Sequence, residues 1–286
     1  MDNETRCKPD VLGYEDIERM VPALKGHRRI TTAIMKFLAL DKVNALHARN
    51  CDPPGPGFVK GMIKEMNVKI EVNNEQVLDN LPPGAFITVS NHPLGAYDGI
   101  VLIYLLTQRR PKFKVMVNMI LNHIGGMKPN FIAVDALASD DPKKKAVSMQ
   151  GIKEAIRQVK SGEPLGFFPA GAVAKLNGKF QLEDRQWQPN IIRLIKQLKV
   201  PVIPIYFHDS NSWFFNLLGK ISWQLRTLRL PREVFRCYDR TFHVTIGDPI
   251  SVADQEAHGA TVEELGAYLR KKTFELRSQG NKFKTR

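Results

Sequence analysis

From residue 58 onward, short apolar runs alternate with amphipathic stretches of helical period, and few folds accommodate that alternation. The runs at residues 85–90, 113–117, 131–134, 165–168, 200–207 and 242–246 have the length and apolar content of buried strands. Between them lie helical patterns. The longest, over residues 142–160, carries Ile152, Ala155, Ile156 and Val159 at i, i+3, i+4 and i+7; Asp141 is its N-cap, Pro142 its first residue, and Ser161-Gly162 its stop. Another begins at Thr261, where Glu264 completes a capping box and Val262, Leu265, Leu269 and Leu276 share a face. The expected fold is α/β, a mixed and largely parallel sheet flanked by helices.

The N-terminal part reads differently. Residues 14–49 show only helical spacing, first Ile17, Met20, Val21 and Leu24, then Ile30, Ala33, Ile34, Phe37 and Leu38. The segment 50–57, Asn-Cys-Asp-Pro-Pro-Gly-Pro-Gly, breaks any regular element. The expected organisation is therefore a helical segment over 1–49, a linker over 50–57, the main domain over 58–277 and a basic tail over 278–286.

Charge narrows the choice of partners. The chain of 286 residues has 42 Lys and Arg against 29 Asp and Glu, a net +13. Three partners answer to such an excess: nucleic acid, an anionic membrane surface or an anionic substrate. Cys7, Cys51 and Cys237 form no C-x-x-C pair, so neither a disulfide framework nor a zinc site is expected, and no metal is assigned. The polar start, Met-Asp-Asn-Glu-Thr-Arg, leads into no secretory h-region, and no run of about 18 apolar residues suits a membrane span; a cytoplasmic protein is expected.

Two constellations can carry chemistry. The run ending at Ser90 opens directly into Asn91-His92-Pro93-Leu94-Gly95-Ala96-Tyr97-Asp98, and an apolar helix follows. A His held by a carboxylate is what a general base requires, because the carboxylate fixes the tautomer and stabilises the imidazolium. The plainer reading stands beside it: Asp98 is also an acceptable helix N-cap, and a His next to Pro serves in turns. The second constellation is Phe168-Pro169-Ala170-Gly171-Ala172-Val173-Ala174-Lys175, a buried run opening into small residues with a cation just beyond. Small residues let backbone N–H groups approach an anion, although such a turn is also common as mere structure.

These blocks, taken in order with Val200-Pro201-Val202-Ile203-Pro204-Ile205 and Ile246-Gly247-Asp248-Pro249-Ile250, resemble the motifs of the glycerolipid acyltransferase family, which includes the 1-acylglycerol-3-phosphate acyltransferases. The resemblance runs from Phe86 to Ile250. Its forms Asn-His-Pro-Leu-Gly and Phe-Pro-Ala-Gly are nearest the bacterial branch labelled hemolysin-like or ornithine- and glycine-lipid O-acyltransferases, and Asn211-Ser212 is similar to that branch too. The resemblance implies acyl transfer from a thioester to a hydroxyl, with His92 as base and Asp98 orienting it. The donor would be acyl carrier protein or acyl-coenzyme A, the acceptor a lysolipid or an N-acylated amino-acid lipid, and no cofactor is implied.

The chain departs from the family pattern twice. Five residues separate His92 from Asp98 where the family has four, an extra residue that a turn at Pro93 and Gly95 absorbs. Ala170, Ala172 and Val173 stand where the family commonly has Glu and a Gly-Thr-Arg run. The expected substrate contacts are therefore Asn91, Gly171, and the cations Lys175, Lys179, Arg185 and Arg193.

Residues 213–230 point to the membrane. Phe214, Leu217, Leu218, Ile221, Leu225 and Leu228 fall on one face of a single helix, with Lys220 and Arg226 turned away. Lys220, Arg226, Arg229, Arg232, Arg236 and Arg240 outweigh Glu233 and Asp239 there. Peripheral attachment at the inner face of the cytoplasmic membrane is the expectation. Three rival readings remain: a nucleic-acid-binding module, against which stands the lack of zinc-finger spacing or an RNP-like pattern; a thioesterase using His92 and Asp98 with water as acceptor; and a scaffold that has lost activity, against which stand the intact His92 and Asp98.

Overall fold

A computed structural model describes residues 8–134 and 142–283, so Cys7, the expected cap Asp141, Lys284 and Arg286 lie outside the described residues. The chain divides into two compact units. One comprises the residues up to Val68, Asn122–Pro129 and Ser212–Arg240; the other comprises Lys69–Leu121, Asn130–Asn211 and the chain from Thr241 onward. The division differs from the one read in the sequence: the 50–57 segment lies inside the helical unit, which also draws two pieces from the middle of the chain.

The helical unit contains α1 (Tyr14–Met20), α2 (Arg28–Phe37), α3 (Leu40–Asn50), α4 (Pro56–Glu65), and a pair further along, α9 (Trp213–Ile221) and α10 (Trp223–Phe235). Pro56 at the start of α4 has the fixed φ a first helical turn requires. Residues 213–230 are thus two helices, where the sequence suggested one. Ser222 adopts extended φ and ψ of −156° and 131°, ending α9, and its hydroxyl then caps α10 by accepting from the Leu225 N–H. Glu233, buried in α10, accepts from the Ser212 N–H and hydroxyl at 2.9 Å each and ties the two ends of the hairpin together. Arg226 is buried as well, its guanidinium over the Phe215 ring, so it does not turn to solvent as the single-helix pattern implied.

The other unit is built on a seven-stranded sheet. Its strands are β1 (Lys69–Asn73), β2 (Ile87–Ser90), β3 (Lys114–Asn118), β4 (Phe131–Val134), β5 (Leu165–Phe167), β8 (Val202–Phe207) and β9 (Thr241–Ile246), in the order β1-β9-β8-β2-β5-β3-β4. All neighbours are parallel except β8 and β9. Two-residue strands β6 (Lys175–Leu176) and β7 (Leu182–Glu183) form a separate hairpin. The helices are α5 (Gln76–Asp79), α6 (Ala96–Thr107), α7 (Pro142–Lys160), α8 (Pro189–Leu198), α11 (Val252–His258) and α12 (Val262–Glu275), followed by a 3₁₀ turn over Leu276–Phe283. That last turn is packed, with Phe283 against the His208 and His243 rings, so the tail expected from 278 is ordered structure through 283.

Period-two alternation distributes the strands between two apolar layers. Ile87, Val89, Leu165, Phe167 and Val202 face α7, α8 and α12 through Ala155, Val159, Ile192, Ile195, Leu265 and Leu269. On the opposite face α6, apolar almost all round, crosses over Thr88 and Gly166, where Leu102 and the Phe113 ring leave no room for a Cβ. Each large side chain so buried contributes about 1.5–3 kcal/mol. The consequence for the site is topological: β8, β2 and β5 lie side by side and parallel, so the loops leaving their C-terminal ends converge, as α/β sheets arrange their sites.

Candidate active site

The loop after β2 is fixed first by Asn91. Its Nδ2 donates to the Phe207 carbonyl at 2.9 Å, and the Phe207 N–H donates to its Oδ1 at 2.8 Å. The side chain thus extends the β2–β8 ladder one rung past the last paired residues, Ser90 and Ile205. With both amide atoms spent on backbone, Asn91 holds the loop, and it also borders the cavity that His92 lines.

The chain then turns through Pro93 and Leu94 to Gly95, whose φ of +73° and ψ of −130° suit only glycine, and α6 starts at Ala96. The five residues between His92 and Asp98 are thus a turn over Pro93, Leu94 and Gly95 followed by the first two helical residues, Ala96 and Tyr97. Asp98 consequently sits in the first turn of α6, where its Oδ2 accepts the N–H groups of Leu94 at 2.9 Å and Gly95 at 3.1 Å and lies 3.0 Å from His92 Nδ1. The N-cap is Gly95, where the plainer reading of the sequence has Asp98; Asp98 is the third helical residue, and its carboxylate accepts from the N-cap N–H while it faces His92. Asp98 is fully buried (0% exposed). Burial pushes its carboxyl upward, and His92 with the two backbone donors opposes that shift.

His92 keeps 16% of its side chain exposed and stacks on Phe168, ring centroids 4.4 Å apart. Its backbone is held too, the carbonyl accepting from the Ala174 N–H at 2.9 Å and the N–H making a long bond of 3.4 Å to Asp184 Oδ1. Asp184, buried, also accepts from Trp187 Nε1 at 3.2 Å, and burial raises its pKa. With Nδ1 facing a carboxylate, Nε2 of His92 is the basic nitrogen of the neutral ring. Such a group can accept a proton from a hydroxyl within hydrogen-bond reach.

Space for that hydroxyl exists. A cavity of about 430 Å³ is lined by His92, Asp184, Tyr206, His208, Asp209 and Arg277 among others. A second, of about 460 Å³, shares Asp184 and is lined by Ala170, Lys175, Glu183, Arg185, Gln186 and Gln188. Lys175 and Arg185 are therefore brought together, while Arg185 Nε also donates to the Val173 carbonyl at 3.3 Å. Lys179 is exposed in the turn between β6 and β7, and Arg193 is exposed on α8 with Asn190 as its hydrogen-bond partner; neither lines the two cavities. The Gly171 N–H donates to the Phe168 carbonyl at 2.9 Å, closing a turn at φ +67° in which a Cβ would strike the Gln188 amide. That N–H is engaged within the turn, so Gly171 shapes the loop.

Sequence reading did not find Asp184, Trp187, His208 or Arg277. Asp184 reaches the His92 loop across 92 residues, and no local pattern marks it.

Comparison with known proteins agrees with this architecture. The sequence profile of a family described as Acyltransferase matches residues 33–281. The chain belongs to the acyltransferase family. This acyltransferase is similar to the lyso-glycine lipid O-acyltransferase of Bacteroides thetaiotaomicron, 29% identical over 232 residues, 77% of this chain and 80% of that protein. It is similar also to the lyso-glycine lipid O-acyltransferase of Phocaeicola vulgatus, 26% identical over 265 residues, 87% of this chain and 90% of that one. In fold it resembles the crystal structure of the 1-acyl-sn-glycerophosphate acyltransferase PlsC from Thermotoga maritima, with a TM-score of 0.52 and 14% identity over 96% of this chain and 90% of that one. The likeness to the glycerolipid acyltransferases read from the motif blocks stands, and the mixed, mostly parallel sheet matches the fold expected from them.

Proposed function

We propose that this acyltransferase moves a fatty acyl group from a thioester to the hydroxyl of a lysolipid, and that the acceptor is an N-acylated amino-acid lipid. The observation that carries the reading is His92 Nδ1 lying 3.0 Å from a buried carboxylate while the ring borders a cavity. His92 Nε2 takes the acceptor's hydroxyl proton as that oxygen attacks the thioester carbonyl. The tetrahedral intermediate collapses, the C–S bond breaks, and the thiolate leaves with the proton returned from the imidazolium. Asp98 keeps the tautomer and stabilises the ring while it is charged. The acceptor supplies the nucleophile, so the mechanism uses no serine or cysteine of the enzyme. The names of the two relatives favour an amino-acid lipid acceptor, and an acidic acyl carrier protein fits the chain's positive charge as donor.

The acceptor's bilayer is reached peripherally in this reading. Among the described residues no helix is long and apolar enough to cross a membrane. The α9–α10 hairpin instead exposes Trp213, Phe214, Ile221, Trp223, Leu225 and Leu228, with Lys220 exposed and the Arg229 guanidinium over the Phe214 ring. Apolar and aromatic side chains bordered by cations suit the headgroup level of an anionic membrane.

The test is transfer from acyl carrier protein or acyl-coenzyme A to lyso-glycine lipid, followed by mass spectrometry. A diacylated product that disappears in His92→Ala supports the reading. Free fatty acid with no lipid product makes the protein a thioesterase, and an active His92→Ala removes the base from the mechanism. Flotation with anionic vesicles, intact chain against Ile221→Asp/Trp223→Asp, tests the surface.

A further inference from the structure

The His92 cavity contains more than the base. Of the described side chains that line it, Arg277 is the one Lys or Arg. His208 also faces it, but burial lowers its pKa to about 4, so at neutral pH it brings no charge. The two carboxylates on the wall are committed: Asp184 accepts from Trp187 and the His92 N–H, and Asp209 Oδ2 accepts from the His243 N–H at 2.6 Å. Arg277 is in none of the ion pairs formed among the described residues.

The backbone that carries Arg277 is firmly seated. Leu276 beside it is buried, and Gly280 lies so close to the His208 ring that a Cβ there would clash with Nδ1. Gln279 Oε1 accepts from the side-chain amides of Asn73 and Asn74 at 3.1 and 3.2 Å, fastening the 3₁₀ turn to the end of β1. Phe283 closes the turn against His208 and His243. A guanidinium projecting from this support is a fork of donors matched to a carboxylate or a phosphate.

We propose that Arg277 binds the anionic head, carboxylate or phosphate, of the acyl acceptor whose hydroxyl faces His92. The inference rests on the acyl-acceptor reading of the cavity. It assigns the charge to the acceptor because the attacking hydroxyl and the anionic head of a lysolipid are parts of one small molecule, whereas the phosphate of a carrier's phosphopantetheine lies a whole pantetheine arm from the reacting carbonyl. A cation on the same cavity wall as the base then orients the acceptor and selects against neutral alcohols.

The experiment compares kcat/KM for three acceptors in the intact enzyme, Arg277→Gln and Arg277→Lys. The acceptors are an N-(3-hydroxyacyl)glycine with a free carboxylate, its glycinamide counterpart, and a lysophosphatidic acid. Loss of a charge-assisted pair predicts that Arg277→Gln lowers the carboxylate-over-amide ratio about 10- to 100-fold, with partial recovery in Arg277→Lys. If the phosphate is the physiological head, the same fall is seen for lysophosphatidic acid over the amide. An unchanged ratio for both anions overturns the assignment, and so does a rise confined to the KM of the thioester donor. Failure of the underlying reading has a different signature: the wild-type enzyme then acylates none of the three acceptors. Arg277 is exposed, so the variants fold, and circular dichroism confirms it.

Discussion

The loop 91–98 and the β6–β7 hairpin leave neighbouring regions of the same unit, yet they are built in opposite ways. In the loop most polar groups find partners inside the protein: Asn91 on Phe207, Asp98 Oδ2 on two N–H groups and beside His92, the His92 backbone on Ala174 and Asp184, with Asp98 Oδ1 a buried exception. In the hairpin Lys175 and Lys179 are exposed, and the turn is held by its own residues, with Asn177 Oδ1 accepting from the Lys179 and Gln181 N–H groups. Chemistry at a single proton demands fixed geometry, which burial and paired backbone supply. Recognition of a charged group tolerates long side chains in water, where each contributes little to stability.

Substitutions can break that contrast, beginning with the largest effect. His92→Ala is expected to lower kcat/KM by about 10²–10⁴-fold, measured by acyl transfer, while the far-ultraviolet spectrum is preserved. Asp98→Asn is expected to lose activity to a similar degree, because an amide cannot hold the His tautomer and stabilise its cation. Asn91→Leu moves the loss from rate to fold: two backbone groups of Phe207 lose their partner in the interior, at ~1–3 kcal/mol each, which urea denaturation reads as a lower midpoint.

Acid sharpens the comparison further. The unfolded chain protonates His208 near 6.5, whereas the folded protein resists until about 4, so the unfolded state binds more protons between those values. The stability that His208 contributes therefore falls as pH drops from 6.5 through 4 and is gone below. His208→Asn, which can retain the bond to the Thr245 hydroxyl, is expected to flatten that slope in thermal melts across the same window. The smallest effect belongs to the hairpin: Lys175→Ala and Lys179→Ala are expected to shift unfolding free energy by no more than about 0.5 kcal/mol. A larger change would show that the exposed cations share in the packing that holds the loop 91–98.

Much of the fold was legible because buried parallel strands are compositionally loud. The runs Phe131–Val134 and Val202–Phe207 are unbroken apolar residues and Ile87–Ser90 alternates Ile and Val with Thr and Ser, and the structure places strands on all three within a residue or two of the expected bounds. Half-buried β1, with the pattern Lys-Ile-Glu-Val-Asn, and the two-residue β6 and β7 carry too little signal to be read. The break at Ser222 was hidden for another reason. Helical spacing continues across it, and only the burial of Arg226 and Glu233 shows that two helices face each other there.

The sequence by itself determined where the candidate residues for the proposed transfer stand, because His92, Asp98 and the blocks after β5 and β8 are local patterns written at the ends of apolar runs. It also placed a turn between His92 and Asp98, since Pro93 and Gly95 both favour one there. Tertiary structure alone decided what surrounds them. Pairing of β2 with β8, the His92–Asp184 contact and the seating of the last 3₁₀ turn against β1 and His208 bring His92, Asp184 and Arg277 to one cavity from widely separated stretches of the chain, and no local preference encodes a meeting at that distance.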